Sequence, residues 1–493
     1  MGSRIPTVVI VGGGASGSLT AIHLLSRPST GPISLALVER DAAVGGGVAF
    51  STESDRHLLN VPACGMSAFE GEPDHFLRWL VGNSRGYDRA SYVPRRLYGR
   101  YLAETLCQHA DLRGRRDEFE TVRGNVVDLV VADGPYLVLA GGRRVRADAV
   151  VLATGLVAPK VPQFAKDIEA SSRFVPDPWS DGALRKIEHD ATVTLVGSGL
   201  TAIDVLLSLT EAGHHGAVNA VSRHGLSPRP HRAFLSRDDE ASCRCARLTG
   251  TSTRQLLHAI REMVEECGSR GGDWRQVIDG LRPYTASLWL ELPDVERRRF
   301  RRHLERYWSV HRHRMAPQIA DTVDRLKRSG QFRVHAGHVL TIDEVPSTQG
   351  FEIRLGPGRT VRSLRSDWVI NCSGPDPNVF AETDGLFSRL RAKQLAKPGP
   401  LGLGVATDMD GHVLNESGSP VEWLWTLGSL RQGDLLESTA VPELRQQASV
   451  ISTGIRRFLS EGRQAREVHA RDVNNETTRM VGEDAAKLER NYV

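Results

Sequence analysis

Closely spaced cysteine pairs are absent from this sequence. Its 493 residues include six cysteines, at positions 64, 107, 243, 245, 267 and 372. None of them forms a CxxC or CxxxxC pair, which excludes a redox-active dithiol of that kind. The spacing of Cys243, Cys245 and Cys267 also fits no common zinc pattern, so we expect no metal site.

Long hydrophobic runs and an excess of one charge are also absent. Without an apolar run of about 18 residues, we expect no membrane-spanning helix. The sequence carries 63 Lys and Arg against 59 Asp and Glu, a formal net charge of +4, and this balance does not favour nucleic acid as a partner. Its first residues pass directly into a predicted strand instead of a signal peptide, so we expect a cytoplasmic protein.

Two glycine fingerprints are present. The first is Gly12–Gly17 (GGGASG) and the second is Gly197–Ala202 (GSGLTA), and their first glycines lie 185 residues apart. Each follows a short apolar run and opens an apolar-periodic segment. A strand, a tight turn and a helix in this order place the pyrophosphate of a dinucleotide on the helix N-terminus. The predicted contacts are Gly12, Gly14, Ala15, Ser16 and Gly17 at one site, and Gly197, Ser198, Gly199 and Thr201 at the other.

The residues that follow the next strand of each unit indicate different nucleotides. In the first unit Glu39 stands 22 residues after Gly17, and Arg40 follows it. A carboxylate there accepts hydrogen bonds from ribose hydroxyls, which suits the adenosine of FAD or NAD. In the second unit Ser222 and Arg223 occupy the corresponding place. They would bind a 2′-phosphate that a carboxylate would repel, so the second site favours NADP.

Four later segments are typical of a flavoprotein that binds two nucleotides. Residues 148–155 and 368–375 resemble the strands by which such chains cross from the FAD domain to the NADP domain and back. Residues 423–429 resemble the strand that closes the FAD domain beside the flavin. Many such proteins carry Asp where this chain has Ser429, so the carboxylate that would bind the ribityl chain is missing here unless Asp434 supplies it. Residues 438–459 are predicted to form a helix that points its N-terminus at the flavin. The candidate contacts in these segments are Thr154, Gly155, Ser373, Gly374, Gly428 and Ser429.

These patterns predict an α/β protein with two Rossmann-like dinucleotide-binding domains, for FAD and NADPH, and an inserted helical domain. Apolar residues at helical spacing over 256–264, after a possible cap at Ser252 or Thr253, place helices inside the second domain. The predicted bounds are 1–180 and 376–462 for the FAD-binding domain, 190–232 and 331–375 for the NADP-binding domain, 233–330 for a substrate-facing helical insertion, and 463–493 for a polar C-terminal tail.

The predicted insertion is rich in arginine over residues 296–314. Positions 300, 304, 307 and 311 would share one face of a helix, and this face is expected to pack against the protein. Most of the arginines are expected to remain in water, because long basic side chains usually do so.

Longer strings resemble a known family. They are Gly47–Thr52, His57–Ala63, Met66–Ala68, His311–Pro317, Arg431–Asp434 and Glu437–Leu444. They resemble a bacterial FAD/NAD(P)-binding flavoprotein family over nearly the whole chain. With a helical module between FAD and NADPH domains, the chain is also similar to the flavin-dependent L-aspartate N-hydroxylases, the nitrosuccinate-forming monooxygenases of specialised and antibiotic metabolism.

The resemblance implies that NADPH reduces FAD, and that reduced FAD uses O₂ to oxidise the amine of L-aspartate to N-hydroxyaspartate and on to nitrosuccinate. No catalytic side chain is assigned, because the cofactor carries the chemistry. The resemblance also implies that Gly47, Val48, His57, Asn60 and Met66 line the flavin, although His57 could equally be a structural histidine. A dicarboxylate requires two cationic partners, and planar arginine suits them best. The candidate substrate-binding residues are Arg229, His231, Arg232, His311, Arg312, Arg314 and Arg431.

Two other functions fit the same motifs. One is an NADPH-dependent flavin reductase or oxidase without oxygen insertion, which the two fingerprints alone would support. The other is a non-catalytic FAD-binding scaffold whose helical module docks a protein. The intact glycines and the Ser222-Arg223 pair disfavour the scaffold. No oligomeric state is predicted.

Overall fold

The computed structural model describes residues 4–26, 31–40, 43–84, 86–113, 118–232, 239–347, 349–356 and 361–464. These residues form two large sheets, two smaller antiparallel sheets that each cover one face of a large sheet, and a separate group of helices. The unit around the first sheet carries the first glycine fingerprint, and the unit around the second sheet carries the second.

The first sheet has six strands. In spatial order they are His412–Leu414, Pro420–Thr426, Ala149–Leu152, Thr7–Val11, Ser34–Glu39 and Glu118–Arg123. All neighbours pair in parallel except the first two strands, which are antiparallel. Thr7–Val11 is central because Val8, Val9, Ile10 and Val11 are all buried, the pattern of a strand covered on both faces.

Both faces of the first sheet are covered. The helices Ala15–Ser26, His75–Asn83, Arg95–Arg113 and 441–464 share a core with one face. An antiparallel sheet of Val126–Ala132, Gly134–Leu139 and Arg144–Arg146 covers the other face together with the helix Leu386–Ala392. The last helix begins three residues later than expected, at Val441, where Pro442 suits a helical first turn.

The second sheet has five parallel strands. In spatial order they are Phe332–Ala336, Val218–Ser222, Val193–Val196, Trp368–Asn371 and Phe174–Val175. The helices Leu200–Glu211 and Pro317–Arg328 share a core with one face. An antiparallel sheet of His338–Val345, Gly350–Gly356 and Arg362–Ser366 covers the other face.

The observed boundaries of the second unit differ from the predicted ones. Ala165 and Ile168 pack in the core of the second unit, and Phe174–Val175 joins its main sheet, so the first unit ends near residue 157 and not at 180. Ile319 and Val323 also belong to that unit's core, so the insertion ends before residue 317 and not at 330. Most of the predicted tail, residues 465–493, lies outside the described residues.

Residues 239–312 form a group of helices, the helical module. Its helices are Asp239–Cys245, Thr253–Ser269, Trp274–Leu281, Thr285–Glu291, Asp294–His303 and Glu305–Arg312. Met263, Val277 and Leu281 lie in its core. Ser252, one of the two predicted caps, precedes the second helix, and its side chain accepts a hydrogen bond from the Gln255 N–H.

The arginine-rich stretch forms two helices that meet at Leu304, and the single face predicted for it is wrong in this respect. Phe300, Leu304 and His311 are half-buried, whereas Tyr307 is 46% exposed. The hydrophobic spacing continues across Leu304, so the spacing alone does not reveal the break.

Three arginines of this stretch are buried. They are Arg297, Arg312 and Arg314, which are 9%, 7% and 3% exposed. Arg297 donates to the Trp289 and Leu290 carbonyls at 2.9 Å. Its guanidinium therefore hydrogen-bonds to carbonyls in the last turn of the helix Thr285–Glu291.

The chain leaves and re-enters the first unit at one place. Val157 and Asp376 form an antiparallel bridge there. Gly155 and Gly374 precede the two crossing segments and have φ values of +74° and +88°, which favour glycine.

The remaining helical segments are short. They are Gly47–Phe50, Ala63–Gly65, Gln163–Ile168, Arg282–Tyr284, Pro400–Gly402, Gly428–Arg431 and Gln432–Leu435. In the part of the chain that the structure describes, no helix is both long enough and apolar enough to span a bilayer.

Candidate functional site

The first fingerprint turn makes backbone contacts that only glycine permits. Gly12 has a φ of +105°, and a Cβ on it would lie 2.4 Å from the Ala153 carbonyl oxygen. A Cβ on Gly17 would lie 1.8 Å from the Gly12 carbonyl oxygen. The Gly12 N–H donates to the Val38 carbonyl at 2.8 Å. The turn is thus held between two strands, and the helix behind it starts close enough to present its N–H groups to a phosphate.

Glu39 lies over this turn, where a ribose was expected. Its carboxylate accepts a hydrogen bond from the Gly13 N–H, and a Cβ on Gly13 would lie 3.0 Å from its Oε2. A carboxylate has several acceptor sites, so one carboxylate can accept from a backbone N–H and from ribose hydroxyls. Arg40 next to it is exposed. This arrangement fits the adenosine half of FAD.

Accessible residues of two segments lie beside the first turn, and we call the space along them the first groove. Gly14, Ala15 and Ser16 are half-buried on one side of it, and Gly47 and Val48 are exposed on the other. A Cβ on Gly14 would lie 3.5 Å from the Gly47 Cα, so these two backbones face each other closely. Thr154 and Gly155, which follow the strand Ala149–Leu152, are exposed and half-buried respectively. A groove formed largely by backbone suits a pyrophosphate and the chain that follows it.

The segment beside the expected flavin position is fixed by glycine and glutamine. A Cβ on Gly428, whose φ is +74°, would lie 2.7 Å from the Ser16 Oγ. The Gly428 N–H donates to the Gln447 Oε1 at 3.0 Å, which ties this segment to the helix 441–464. Ser429 is half-buried. Asp434 faces Thr407, and its Oδ2 accepts from the Thr407 N–H and Oγ1 at 2.9 and 2.8 Å.

The second fingerprint repeats the geometry of the first. Gly197 has a φ of +124°, and a Cβ on it would lie 2.4 Å from the Cys372 carbonyl oxygen. A Cβ on Gly199 would have no atom within 4 Å, and Thr201 in the next turn is half-buried. The space in front of Gly199 therefore admits a phosphate.

Ser222 and Arg223 lie at the end of the neighbouring strand, as predicted for a 2′-phosphate. The Ser198 hydroxyl donates to the Leu226 carbonyl at 2.5 Å and accepts from the Ser222 hydroxyl at 2.7 Å. Arg223 is exposed. Ser373 Oγ donates to the Asn371 Oδ1 at 2.8 Å, and Gly374 has open space around its Cα. These groups fit NADPH at the second site.

Two residues that were expected to line the flavin are buried among protein groups. His57 is 2% exposed, its Nδ1 is 2.7 Å from the Thr52 Oγ1, and its Nε2 is 3.0 Å from the Asp204 carbonyl oxygen. Burial lowers the pKa of His57. These contacts agree with the second role considered for His57, that of a structural histidine. Met66 is 2% exposed in the core of the first unit, and Asn60 is exposed.

Six of the seven predicted substrate residues come together. The Arg229 N–H donates to the Val310 carbonyl, the Met315 N–H donates to the Arg229 carbonyl, and the His231 N–H donates to the Met315 carbonyl, at 2.8–2.9 Å. These backbone bonds join residues 229–232 to residues 310–315 at the junction of the second unit and the helical module. We call the side chains gathered there the arginine cluster. It comprises Arg229, His231, Arg232, His311, Arg312 and Arg314, together with Arg275 and Trp274.

Arg314 is the most deeply buried member of the cluster. It is 3% exposed, and burial lowers its pKa. One of its Nη atoms donates to Asp279, whose side chain is 56% exposed. Its Nε has no hydrogen-bond partner among the described residues, and the guanidinium carbon lies 5.9 Å from the Trp274 ring centre. A buried guanidinium with a free donor and a replaceable counter-ion is suited to bind a carboxylate.

Arg312 lies beside it, between two glutamates of the first unit. Its Nη2 is 3.6 Å from a Glu437 oxygen and 3.4 Å from a Glu443 oxygen, both long for charge-assisted hydrogen bonds. Its Nε also has no partner among the described residues. Burial and the neighbouring arginines, led by Arg314, lower the pKa of His231 to about 3. His231 therefore stays neutral near pH 7 and donates from Nε2 to the Asn60 carbonyl at 3.0 Å.

The remaining predicted members have different surroundings. Arg232 pairs with Asp273 at 3.1 Å and is 66% exposed. The His311 ring packs edge-on against Trp274, 4.9 Å between centres. Arg229 is exposed.

Arg431 lies outside the cluster, and its predicted substrate role does not agree with its surroundings. It is 3% exposed. Its Nε donates to the Thr407 Oγ1 at 3.1 Å, and its Nη2 donates to the Asp408 and Met409 carbonyls at 2.7 and 3.2 Å. These bonds hold the loop before His412–Leu414, so Arg431 has a structural role.

Four residues of this candidate site were not predicted from the sequence. Arg275 is 8% exposed and donates to the Pro230 carbonyl at 2.7 Å. Trp274 lies beneath its guanidinium, and Asp279 pairs with Arg314. Tyr92 packs on His231 at 5.1 Å, and burial raises its pKa to about 12. Three of them lie on the helix Trp274–Leu281, whose amphipathic pattern also fits ordinary packing, so only the Trp-Arg pair offered a signal.

No metal site accompanies these features, since no group of three or more His, Cys, Asp or Glu among the described residues could hold a metal ion.

Two family models match parts of the chain. One, described as FAD-NAD(P)-binding, matches residues 9–157, which contain the first fingerprint. The other, described as L-lysine 6-monooxygenase/L-ornithine 5-monooxygenase, matches residues 135–235, which contain the second. No curated protein sequence matches the chain.

Solved structures share the fold over most of the chain. An ornithine N-hydroxylase of Kutzneria sp. 744 is 14% identical, with a TM-score of 0.59 over 92% of this chain and 99% of that one. A cadaverine monooxygenase of Erwinia amylovora is 13% identical, with a TM-score of 0.57 over 92% and 95%. A bacillithiol disulfide reductase of Bacillus cereus is 14% identical, with a TM-score of 0.51 over 92% and 99%.

These matches confirm the predicted fold class, an α/β protein with the arrangement of FAD- and NADPH-binding flavin monooxygenases. They also confirm the predicted cofactors, FAD and NADPH, and the enzyme class, a flavin-dependent NADPH monooxygenase. Of these three structures, one is named for ornithine, one for cadaverine and one for bacillithiol disulfide, and none for aspartate.

Proposed function

We propose that this chain N-hydroxylates the amine of an acidic amino acid, with FAD, NADPH and O₂, and that L-aspartate is the substrate. Successive oxidation to N-hydroxyaspartate and nitrosuccinate, in specialised metabolism, is part of the proposal. N-hydroxylation is supported by the similarity of residues 135–235 to lysine and ornithine monooxygenases. The acidic substrate is supported by the arginine cluster.

The observation that carries the choice of substrate is the surroundings of Arg314. Arg314 is 3% exposed, and its Nε has no partner within the part of the chain that the structure describes. Its guanidinium has given up hydration without recovering all of its hydrogen bonds there, which is unfavourable in an unliganded protein. An incoming carboxylate would restore the missing bond. Arg312, with two long contacts to glutamates, offers a second donor for the other carboxylate of aspartate.

Each part of the chain has a defined task in this proposal. When bound, FAD reduced by NADPH supplies the activation of O₂. The backbone N–H groups behind Gly12 and Gly197 bind the two pyrophosphates, and Ser222 and Arg223 bind the 2′-phosphate. Arg312 and Arg314 orient the substrate by its carboxylates, so that its amine faces the first unit. We propose that the helical module supplies this substrate face and excludes water.

A basic substrate is the second candidate, and Asp279 favours it. This carboxylate is half-exposed at the arginine cluster and would accept a hydrogen bond from a second ammonium group. The structural neighbours include enzymes named for ornithine and cadaverine. The two candidates differ in which member of the Arg314–Asp279 pair binds the substrate.

The test is NADPH consumption by the FAD-loaded protein in air with each of four amines. They are L-aspartate, its neutral analogue L-asparagine, L-ornithine and cadaverine. Hydroxylamine, nitro product and hydrogen peroxide are followed in each reaction. Nitrogen-oxidised product from L-aspartate alone supports the proposal, and product from ornithine or cadaverine alone replaces it with the second candidate. Hydrogen peroxide as the only product with every amine indicates an NADPH oxidase.

A further inference from the structure

The helix that carries the second fingerprint is attached to the first unit along one face. This helix, Leu200–Glu211, presents Asp204, Ser208 and Glu211 at spacings of four and three residues, so they line one side. Each of the three makes a hydrogen bond to a side chain of the first unit, to Arg95, His57 and Ser54 respectively. We call this set of contacts the helix dock.

Asp204 is the centre of the helix dock. Its carboxylate pairs with the Arg95 guanidinium, and the two side chains are 5% and 18% exposed. Its backbone carbonyl lies 3.0 Å from the His57 Nε2. Because a carbonyl can only accept, Nε2 carries the proton, and the other ring nitrogen accepts from the Thr52 hydroxyl at 2.7 Å. Every polar atom of the imidazole is therefore used.

The polar composition of the helix dock indicates that it fixes the position of the helix more than it adds binding free energy. A buried ion pair loses most of its attraction to desolvation, so a purely adhesive contact is better made from apolar residues. A buried pair strongly disfavours any arrangement that separates its two charges. The dock therefore selects one position of the helix relative to the first unit.

Both sides of the dock connect directly to the cofactor turns. On one side, the helix begins at the open space in front of Gly199. On the other, Thr52 and His57 follow the segment Gly47–Phe50, which forms one wall of the first groove. Arg95 begins the helix Arg95–Arg113, whose Gly99 carbonyl would be 2.5 Å from a Cβ on Gly45. A shift of the dock would move one cofactor relative to the other.

We propose that Arg95, Asp204 and His57 are positioning residues that set the distance between the nicotinamide and the flavin. This inference rests on the proposed function in one respect, that hydride passes from NADPH to FAD. Hydride transfer needs the donor carbon in contact with the flavin ring, and a misplacement of about 1 Å lowers such a rate by about 100-fold. None of the three touches the reacting atoms, so they act through the placement of the helix.

The chain provides a matched pair of variants. Arg95 and its neighbour Arg96 lie on the same helix, but Arg95 crosses to Asp204, whereas Arg96 pairs with Asp55 of its own unit and is 48% exposed. Arg95→Gln is expected to lower the rate constant for anaerobic flavin reduction by NADPH by about 10-fold or more. The Kd for NADP⁺ is expected to change by less than about twofold, and Arg95→Lys is expected to restore part of the rate. Arg96→Gln is expected to match the wild type.

A second readout does not depend on turnover. Amide hydrogen exchange over residues 200–211 of the FAD-loaded protein is expected to rise in Arg95→Gln and not in Arg96→Gln, because the helix is less firmly held. Ser208→Ala, which removes one hydroxyl at 3.0 Å from His57, serves if Arg95→Gln does not fold. In Ser208→Ala, flavin reduction is expected to be slower and amide exchange faster, both by less than in Arg95→Gln.

The outcomes separate this inference from the proposed function. Wild-type rates of flavin reduction and wild-type exchange in both dock variants overturn the positioning role. Normal flavin reduction without amine oxidation in the wild type overturns the proposed function and leaves the dock result intact. A wild-type flavin that NADPH does not reduce overturns both.

Discussion

Gly12 and Gly197 show how one residue type serves the same purpose twice. In each unit a Cβ on this glycine would lie 2.4 Å from a carbonyl oxygen, that of Ala153 or of Cys372. Each carbonyl belongs to the residue after a neighbouring strand, so the turn is pressed against the strand next to it. The same close approach is needed wherever a phosphate is to lie on a helix N-terminus directly behind a strand.

Two substitutions in the second turn are expected to fail in different ways. Gly197→Ala combines a positive φ with a backbone clash and is expected to destabilise the fold by about 2–4 kcal/mol. Gly199→Ala has room in the protein but places a methyl group where the pyrophosphate would lie. It is expected to keep the melting temperature while weakening NADP⁺ binding by about 10-fold or more. Thermal unfolding and NADP⁺ titration check both variants. A lowered melting temperature in Gly199→Ala would contradict the prediction that this position has room for a methyl group.

The arginine cluster was only partly predictable from sequence. Arg312 and Arg314 stand in an arginine-rich stretch, but nothing local distinguishes them from their exposed neighbours. Their burial depends on Trp274, Asp279 and Glu437, which are distant in sequence. For Arg431 the local motif was misleading, because its partners are carbonyls of residues 408 and 409.

Removal of the Arg314 side chain is expected to separate cofactor chemistry from substrate oxidation. Under the proposed function, Arg314→Ala should lower nitrogen-oxidised product at least about 100-fold, because the carboxylate of the proposed substrate loses its buried partner. NADPH consumption should change by less than about threefold, with the electrons appearing as hydrogen peroxide. Arg298→Ala, on an exposed position of the helix Asp294–His303, is the control. Full product yield from Arg314→Ala would remove Arg314 from the substrate site.

At the scale of elements, the strands were predictable and their sheet partners were not. The apolar run before each fingerprint predicted a strand, and the strands Thr7–Val11 and Val193–Val196 lie at these two places. The short strand Phe174–Val175 was assigned to the wrong unit, because two buried residues fit either sheet. The helix Pro317–Arg328 was assigned to the insertion for a similar reason, since its apolar stripe does not identify the surface that it covers.

The N-terminus of the helix Thr253–Ser269 has a cap whose effect is measurable. The Ser252 side chain accepts from the Gln255 N–H, so Ser252→Ala is expected to lower the free energy of unfolding by about 1 kcal/mol. Ser269 lies at the other end of the same helix, where its hydroxyl donates to the Glu266 carbonyl in an exposed position. Ser269→Ala is expected to change stability by less than about 0.5 kcal/mol. Equal effects in the two variants during denaturant unfolding would argue against the cap.

At the scale of the whole molecule, buried histidines make stability dependent on pH. Burial is the leading cause of a lowered pKa in His57, His75, His214, His231 and His335. In the unfolded chain each returns to about 6.5. As the pH falls below that value the unfolded chain takes up protons that the folded chain does not, so the free energy of unfolding decreases.

His231 alone is expected to account for a measurable part of this pH dependence. With a folded pKa of about 3, its contribution lowers the free energy of unfolding by about 2 kcal/mol between pH 7 and pH 5. His231→Gln should flatten this pH dependence, because glutamine has no proton to gain. His303→Gln, at an exposed position, should leave the dependence unchanged. Urea unfolding at pH 7, 6 and 5 measures the slopes, and an equally steep slope in His231→Gln would contradict the prediction.

The pairing of Val157 with Asp376 has a genetic consequence. Because the two ends of the intervening segment are neighbours, residues 158–375 form a cassette that can be gained or lost through a single point in the first unit. The six-strand sheet around Thr7–Val11 takes no strand from this cassette. Recombination at that point would therefore replace the second unit and the helical module together and leave the sheet of the first unit intact.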